Sequence, residues 1–189
     1  LFRQSIERFL QFGQDGTLKL SENEKSQLHL FKYTHGLNSI LMNANYEYGV
    51  SFVRDLEQSI QNMDYPWDSS RLLVFYYKMA CVYFGNGDLD HTITYLNRIE
   101  NDYHNRLKVD IQCFARVLNL IAHYDLGNDI LVSYKIKSVF RFLIKMGELE
   151  KVQEAIFRFI RRTPRMSPDS VKDEFKKLRN ILVAIEKER

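Results

Sequence analysis

Cysteine is scarce in this 189-residue chain, and the two present, Cys81 and Cys113, stand alone within apolar helical patterns. No CxxC and no second pair accompany them, so neither a zinc cage nor a disulfide framework is indicated; a reducing, cytoplasmic setting is expected. With 3 prolines and 8 glycines, the chain has too little punctuation for a many-stranded fold. It has no apolar run of about 18 residues to cross a membrane as a helix, and its N-terminus lacks the order of a signal peptide. The chain opens at Leu1 rather than Met and begins mid-pattern (Phe2, Ile6, Phe9, Leu10), which leads us to expect a fragment of a longer protein.

Chemistry-bearing motifs are missing as well. The histidines, His29, His35, His91, His104 and His123, are scattered; none forms HExxH, and no carboxylate sits at the spacing of a metalloprotease site. There is no G-x-S-x-G elbow, and Ser39, Ser51, Ser59 and Ser133 fall inside helical stretches, where a nucleophile would lack its strained turn. Gly85-Asn86-Gly87 follows a helix and precedes Asp88, whereas a phosphate cradle needs a longer glycine-rich turn after a strand and a lysine to reach the phosphate. No catalytic residue, metal ligand or cofactor is therefore assigned, and the chain reads as non-enzymatic.

What remains is an apolar fraction of 45%, with 13% aromatic, set at helical spacing. Residues 1–12 carry one apolar helical face. Ser21-Glu22-Asn23-Glu24 is a capping box opening a helix to about Asn45, and the next helix spans Tyr46 to Asn62. Pro66 marks a loop after which Ser69 or Ser70 is positioned to cap. Further breaks fall at Gly85 to Asp88, around 101–105, at Gly127-Asn128-Asp129, at Gly147, and over 163–168, where Pro168 suits the first position of a last helix. From Gly87 to Gly127 is a helix pair of 40 residues, and from Gly127 to Gly147 a single helix of 20.

Tyr76, Met79, Ala80, Tyr83, Gly87, Leu96 and Ile99 occupy the packing positions of a tetratricopeptide unit, with Thr92 in place of its second-helix alanine. Val139, Phe140, Leu143, Gly147, Val152, Ile156, Phe159 and Pro164 follow the same frame, with Phe140 where a small residue is usual. Residues 71–165 thus resemble a divergent tetratricopeptide-like solenoid, of the kind found in bacterial proteins with run-on helical repeats; HEAT-like pairs of about 40 residues suit the spacing too. The resemblance implies an all-α fold of about nine helices, as antiparallel pairs stacked in a right-handed α-solenoid. Residues 1–65 would form less typical helical pairs and 168–189 a capping helix, all in one domain. Some tetratricopeptide domains grip a terminal carboxylate with Lys and Asn, but Tyr77, Cys81, Val117 and Ile121 occupy the matching places here.

Charge is uneven. Residues 135–165 hold nine basic side chains (Lys135, Lys137, Arg141, Lys145, Lys151, Arg158, Arg161, Arg162, Arg165) against Glu148, Glu150 and Glu154, while the whole chain carries only +3. A local positive field attracts acidic peptides or phosphate backbones. Tyr134, Lys137, Arg141 and Lys145 share one helical stripe, and Arg116, Asn119 and His123 form another through an apolar helix. The second stripe either faces a groove or is buried and paired; the reading adopted puts both stripes in the concave groove. The function expected is a non-catalytic scaffold for a peptide or helical protein segment, of acidic character, with no membrane role. A nucleic-acid binder using the 135–165 face ranks second. Phe157 and Phe159 cannot both face the core of one helix, which marks that helix as a further contact point.

Overall fold

The computed structural model describes Arg8, Gln11 and residues 21–62, 67–102, 108–146, 151–162 and 168–187. Among them are eight helices and no strand: α1 Glu22–Met42, α2 Tyr46–Gln61, α3 Ser69–Gly85, α4 Leu89–Asp102, α5 Val109–Asp125, α6 Asp129–Met146, α7 Lys151–Arg162 and α8 Pro168–Lys187. The helix expected over 1–12, and the breaks expected at Gly147 and 163–167, lie outside the described residues, apart from Arg8 and Gln11. The chain divides into two compact units, Leu1–Tyr103 and His104–Arg189.

In the first unit α1 packs on α2, α3 packs on both, and α4 packs on α3. The capping box at the start of α1 forms as expected: Ser21 Oγ accepts from the Glu24 amide, and the Ser21 amide donates to Glu24 Oε2 at 2.8 Å. The Ser21 hydroxyl, donating to Glu24 Oε2 at 2.7 Å, and then the Ser21 amide hold the Glu24 carboxyl below its ordinary value. The cap of α3 differs from expectation. Asp68 takes the role given to Ser69 or Ser70, its Oδ1 accepting from the Arg71 amide at 2.9 Å. A carboxylate satisfies that free donor and also complements the positive helix end.

The core of this unit is Tyr33, Leu37 and Ile40 from α1, Val53 and Leu56 from α2, Leu73, Phe75, Met79, Val82 and Tyr83 from α3, and Tyr95, Leu96 and Ile99 from α4. Three helices meet at Gly49, where a Cβ would lie 2.7 Å from Ile40 Cγ2 and 2.8 Å from Val82 Cγ1. Aromatic rings tie α3 to α4: His91 stacks on Tyr83 at 4.8 Å, Tyr83 on Tyr95 at 5.8 Å, and the Arg98 guanidinium lies 5.0 Å over the Tyr76 ring. Thr92, buried in the same hairpin, satisfies its hydroxyl on the Asp88 carbonyl at 2.7 Å.

In the second unit Cys113 and Leu120 of α5, Val132, Ile136, Val139 and Leu143 of α6, and Phe157 of α7 form one apolar cluster. Phe157 is buried, while Phe159 is half-buried, its ring centroid 4.4 Å from that of Phe175 on α8. The two rings of α7 therefore face different ways, as their spacing requires.

One backbone device recurs three times. The Asp88 amide donates to the Tyr83 carbonyl at 3.0 Å and the Gly87 amide to that of Phe84 at 3.0 Å; Asn128 to His123 at 3.0 Å and Gly127 to Tyr124 at 2.9 Å repeat it, as do Asn45 to Ile40 at 3.1 Å and Ala44 to Leu41 at 3.4 Å. This pairing closes a helix with one left-handed residue, and Gly87 (φ 79°), Gly127 (φ 72°) and Ala44 (φ 50°) are those residues. Each motif joins two helices through three residues, so α1/α2, α3/α4 and α5/α6 are antiparallel hairpins.

Superimposing the three turn residues in sequence gives a common register. Seven and four positions before the turn stand Leu37, Ala80, Leu120 and Ile40, Tyr83, His123; five, nine and twelve positions after it stand Gly49, Thr92, Val132, then Val53, Leu96, Ile136, then Leu56, Ile99, Val139. Every one of these residues is buried. The repeat pairs α5 with α6, so α6 is the second helix of its hairpin, whereas the expected frame had made it the first.

Candidate functional site

The hairpin register also fixes positions that face solvent. One residue before the turn, and three and seven after it, are exposed in all three hairpins. The first hairpin has Asn43, Glu47 and Ser51 there, and the second Asn86, Asp90 and Thr94. The third has Leu126, Ile130 and Tyr134, which are 43%, 79% and 72% exposed. The fold therefore does not call for apolar groups at these places: two hairpins of the same plan are built with polar ones.

On α6 the strip continues through Lys137, Arg141 and Lys145. At 100° per residue these side chains and those of Ile130 and Tyr134 fall on one face. The opposite face, Val132, Ile136, Val139 and Leu143, is buried at 4% exposure or less, which holds the strip outward. Lys137, Arg141 and Lys145 are exposed and form no ion pair with a described residue. Arg141 Nε donates to the Lys137 carbonyl at 3.3 Å, which draws its guanidinium along the helix. The strip is thus apolar at the α6 N-terminus and cationic toward its C-terminus, where cations offset the helix dipole.

The second stripe lies elsewhere. Asn119 has no exposed surface and His123 is 8% exposed. Of the two alternatives open to this stripe, these residues take the buried one. Their register explains it: His123 stands where Ile40 and Tyr83 stand, and Asn119 where Gly36 and Met79 stand. His123 Nδ1 is 3.3 Å from Asn128 Nδ2, in the turn that closes α5. Arg116 is half-buried, its guanidinium 3.7 Å over the Phe142 ring and Nη1 donating to the Gln112 carbonyl at 3.2 Å. The structure therefore gathers Tyr134, Lys137, Arg141 and Lys145 on one exposed face and leaves Arg116, Asn119 and His123 within the fabric of α5. Leu126 and Ile130 are strip residues that sequence reasoning missed; comparison across the hairpins would have exposed them, but Ala44 in place of a turn glycine hid the first hairpin.

The remaining basic side chains are more occupied. Arg158 pairs with Glu154, and Arg162 lies 3.7 Å from Glu174, which also holds Lys177 at 2.6 Å. Glu174 is held below its ordinary value, chiefly by that lysine. These pairs line an open cleft of about 290 Å³ between α7 and α8, floored by Ala155, Phe159, Leu178 and Ile181. Arg161, Arg165 and Lys151 lie outside the described side chains.

Cys81 is the most reactive side chain type available on α3, and its surroundings restrain it. Burial pushes its thiol up, against the opposing effects of Tyr77 and Lys78, so the thiolate that attacks electrophiles is depleted. Among the described residues no three His, Cys, Asp or Glu side chains gather as a metal site, and no helix is long and apolar enough to cross a membrane. No protein-family model, curated protein or solved structure matches the chain.

Proposed function

We propose that this protein is a non-catalytic interaction module that binds an acidic protein segment on the outward strip of α6. The observation that carries the reading is the substitution of Leu126, Ile130 and Tyr134 into positions that are polar in the other two hairpins, followed directly by three exposed cations. Exposed apolar groups rimmed by like charge are the usual composition of a docking surface, with the apolar part supplying affinity and the charges supplying steering and selectivity. Tetratricopeptide-like, right-handed stacking of the hairpins belongs to the same proposal; it rests on the packing residues around Gly87, while the hairpin spacing of 43 and 40 residues between turns also suits HEAT-like pairs. Because α6 is a second helix, the binding surface proposed is an exposed strip rather than the concave groove.

Nucleic acid is the weaker reading because Arg158 and Arg162 of the basic segment already have carboxylate partners. The experiment is capture from a cell lysate with three immobilised chains: the unaltered one, a Lys137→Glu/Arg141→Glu/Lys145→Glu variant, and a Leu126→Asn/Ile130→Asp/Tyr134→Thr variant carrying the residues of the second hairpin. A protein retained by the unaltered chain alone, with an acidic segment mapped as its contact, is the expected result. Equal retention by all three chains would refute the reading.

A further inference from the structure

Resting on that docking strip, the partner's own conformation and direction can be derived. We infer that the strip binds an amphipathic α-helix running antiparallel to α6, with carboxylates in its first turns and apolar side chains in the turns that follow.

The helical form follows from hydrogen bonding. The backbone groups of α6 are spent within the helix between its ends, so from Tyr134 onward the strip presents side chains only. An extended segment laid over Leu126, Ile130 and Tyr134 would lose water from its amides and find the Tyr134 hydroxyl as the single side-chain acceptor among these three, which weighs heavily against binding. A helix arrives with its amides already paired and offers only side chains in return, as in other helix-on-helix recognition. Spacing agrees. Lys137, Arg141 and Lys145 are spaced four residues apart, roughly 6 Å along the axis, and carboxylates repeating every four residues on a partner helix step by the same amount.

The direction follows from the order of chemistry along the strip. Apolar groups come first, at the N-terminal end of α6, and cations come last. Carboxylates are most stable near the N-terminus of the helix that carries them. Setting those first turns against Arg141 and Lys145 places the partner's N-terminus at the C-terminus of α6 and opposes the two dipoles favourably. The partner's later, apolar turns then cover Tyr134, Ile130 and Leu126. From Ile130 to Lys145 the strip spans roughly 22 Å, so a partner of about four to five turns fills it.

The test is a binding titration of the full chain by fluorescence anisotropy with synthetic peptides of about 18 residues. One has the acid-first order; a second has the same composition with the order reversed; a third is acid-first with proline at its centre. The acid-first peptide is expected to bind at least about tenfold tighter than either of the others, a difference of about 1.4 kcal/mol. The triple charge-reversed chain is expected to lose that preference. Equal binding of the proline peptide would overturn the helical form, and equal binding of the reversed peptide would overturn the direction, both leaving the strip itself standing. Unchanged binding to the charge-reversed chain, or no binding of any peptide to the unaltered chain, would overturn the docking strip as well. Displacement of the acid-first peptide by duplex DNA at moderate salt would overturn the inference in favour of a phosphate backbone.

Discussion

Ala44 sits in the left-handed conformation, at φ 50°, in the motif that uses glycine at 87 and 127. An L side chain there brings its Cβ too close to the following carbonyl oxygen, at a cost of roughly 1–2 kcal/mol. Ala44→Gly removes that strain, while the greater freedom of glycine in the unfolded chain returns roughly 0.4–1 kcal/mol to the unfolded state. The net expectation is a gain of about 0.5–1 kcal/mol, or roughly 1–4 °C in Tm for a chain of this size. Gly87→Ala is the mirror experiment. A Cβ at Gly87 meets nothing within 4 Å, so its loss, about the same in magnitude, is purely a backbone effect. Both residues lie in the Leu1–Tyr103 unit, and urea unfolding followed by helical circular dichroism reads both on the same transition. Opposite shifts in midpoint at constant m-value are expected. Shifts of the same sign, or a destabilised Ala44→Gly, would show that the first hairpin does not close by the motif of the other two.

Gly49→Ala sets helix propensity against packing. Propensity alone favours alanine by about 1 kcal/mol, but the new methyl meets Ile40 at 2.7 Å and Val82 at 2.8 Å. Overpacking of roughly 1–3 kcal/mol prevails, and a lower Tm is expected; a higher one would sink the three-helix contact at Gly49. Alkali is expected to loosen the first unit. Burial above all, with the Glu57 carboxylate adding to it, raises Tyr83 and Tyr95, and burial raises Tyr77. A raised folded value means that their contribution is complete below the unfolded value of about 10 and is lost as pH rises through the higher folded values. Thermal melts between about pH 9 and pH 11 should show falling Tm, less steeply in Tyr95→Phe. If every tyrosine of the native protein titrated near the ordinary value in an ultraviolet pH scan, the burial argument would fail.

The helices were legible because the chain writes their ends plainly: the Ser21 capping box, the Gly87 and Gly127 stops and the Pro168 start all lie at helix boundaries. Their pairing was not. Gly147 and Gly127 look equally good as turns in sequence, and only the backbone shows that three-residue connections closed by left-handed residues join α1 to α2, α3 to α4 and α5 to α6. Periodicity placed Tyr134, Lys137, Arg141 and Lys145 on one face because each is large or charged and four residues is close to one turn. The same rule put Arg116, Asn119 and His123 on one helical stripe but could not tell inside from outside. A polar stripe resembles a surface until neighbours of the same register, Met79 and Tyr83, show that those positions belong to the core.

Comparison between the hairpins also separates what folds the chain from what the strip can bind. At the buried positions the three hairpins vary in size, from Gly49 to Thr92 to Val132 and from Ile40 to Tyr83 to His123, and at Gly49 the close Ile40 and Val82 side chains leave no room for a Cβ. At the exposed positions they vary in polarity, from Asn43, Glu47 and Ser51 to Leu126, Ile130 and Tyr134. Apolar side chains left largely exposed bury little area on folding and raise the risk of association. Replacing Leu126, Ile130 and Tyr134 by the Asn, Asp and Thr of the second hairpin should therefore leave the thermal midpoint within the range of ordinary surface changes, about 0.5 kcal/mol. Binding on the strip should be lost at the same time. A variant that unfolded instead would show that these side chains support the second unit, and the strip would then be part of the fold rather than a surface offered to a partner.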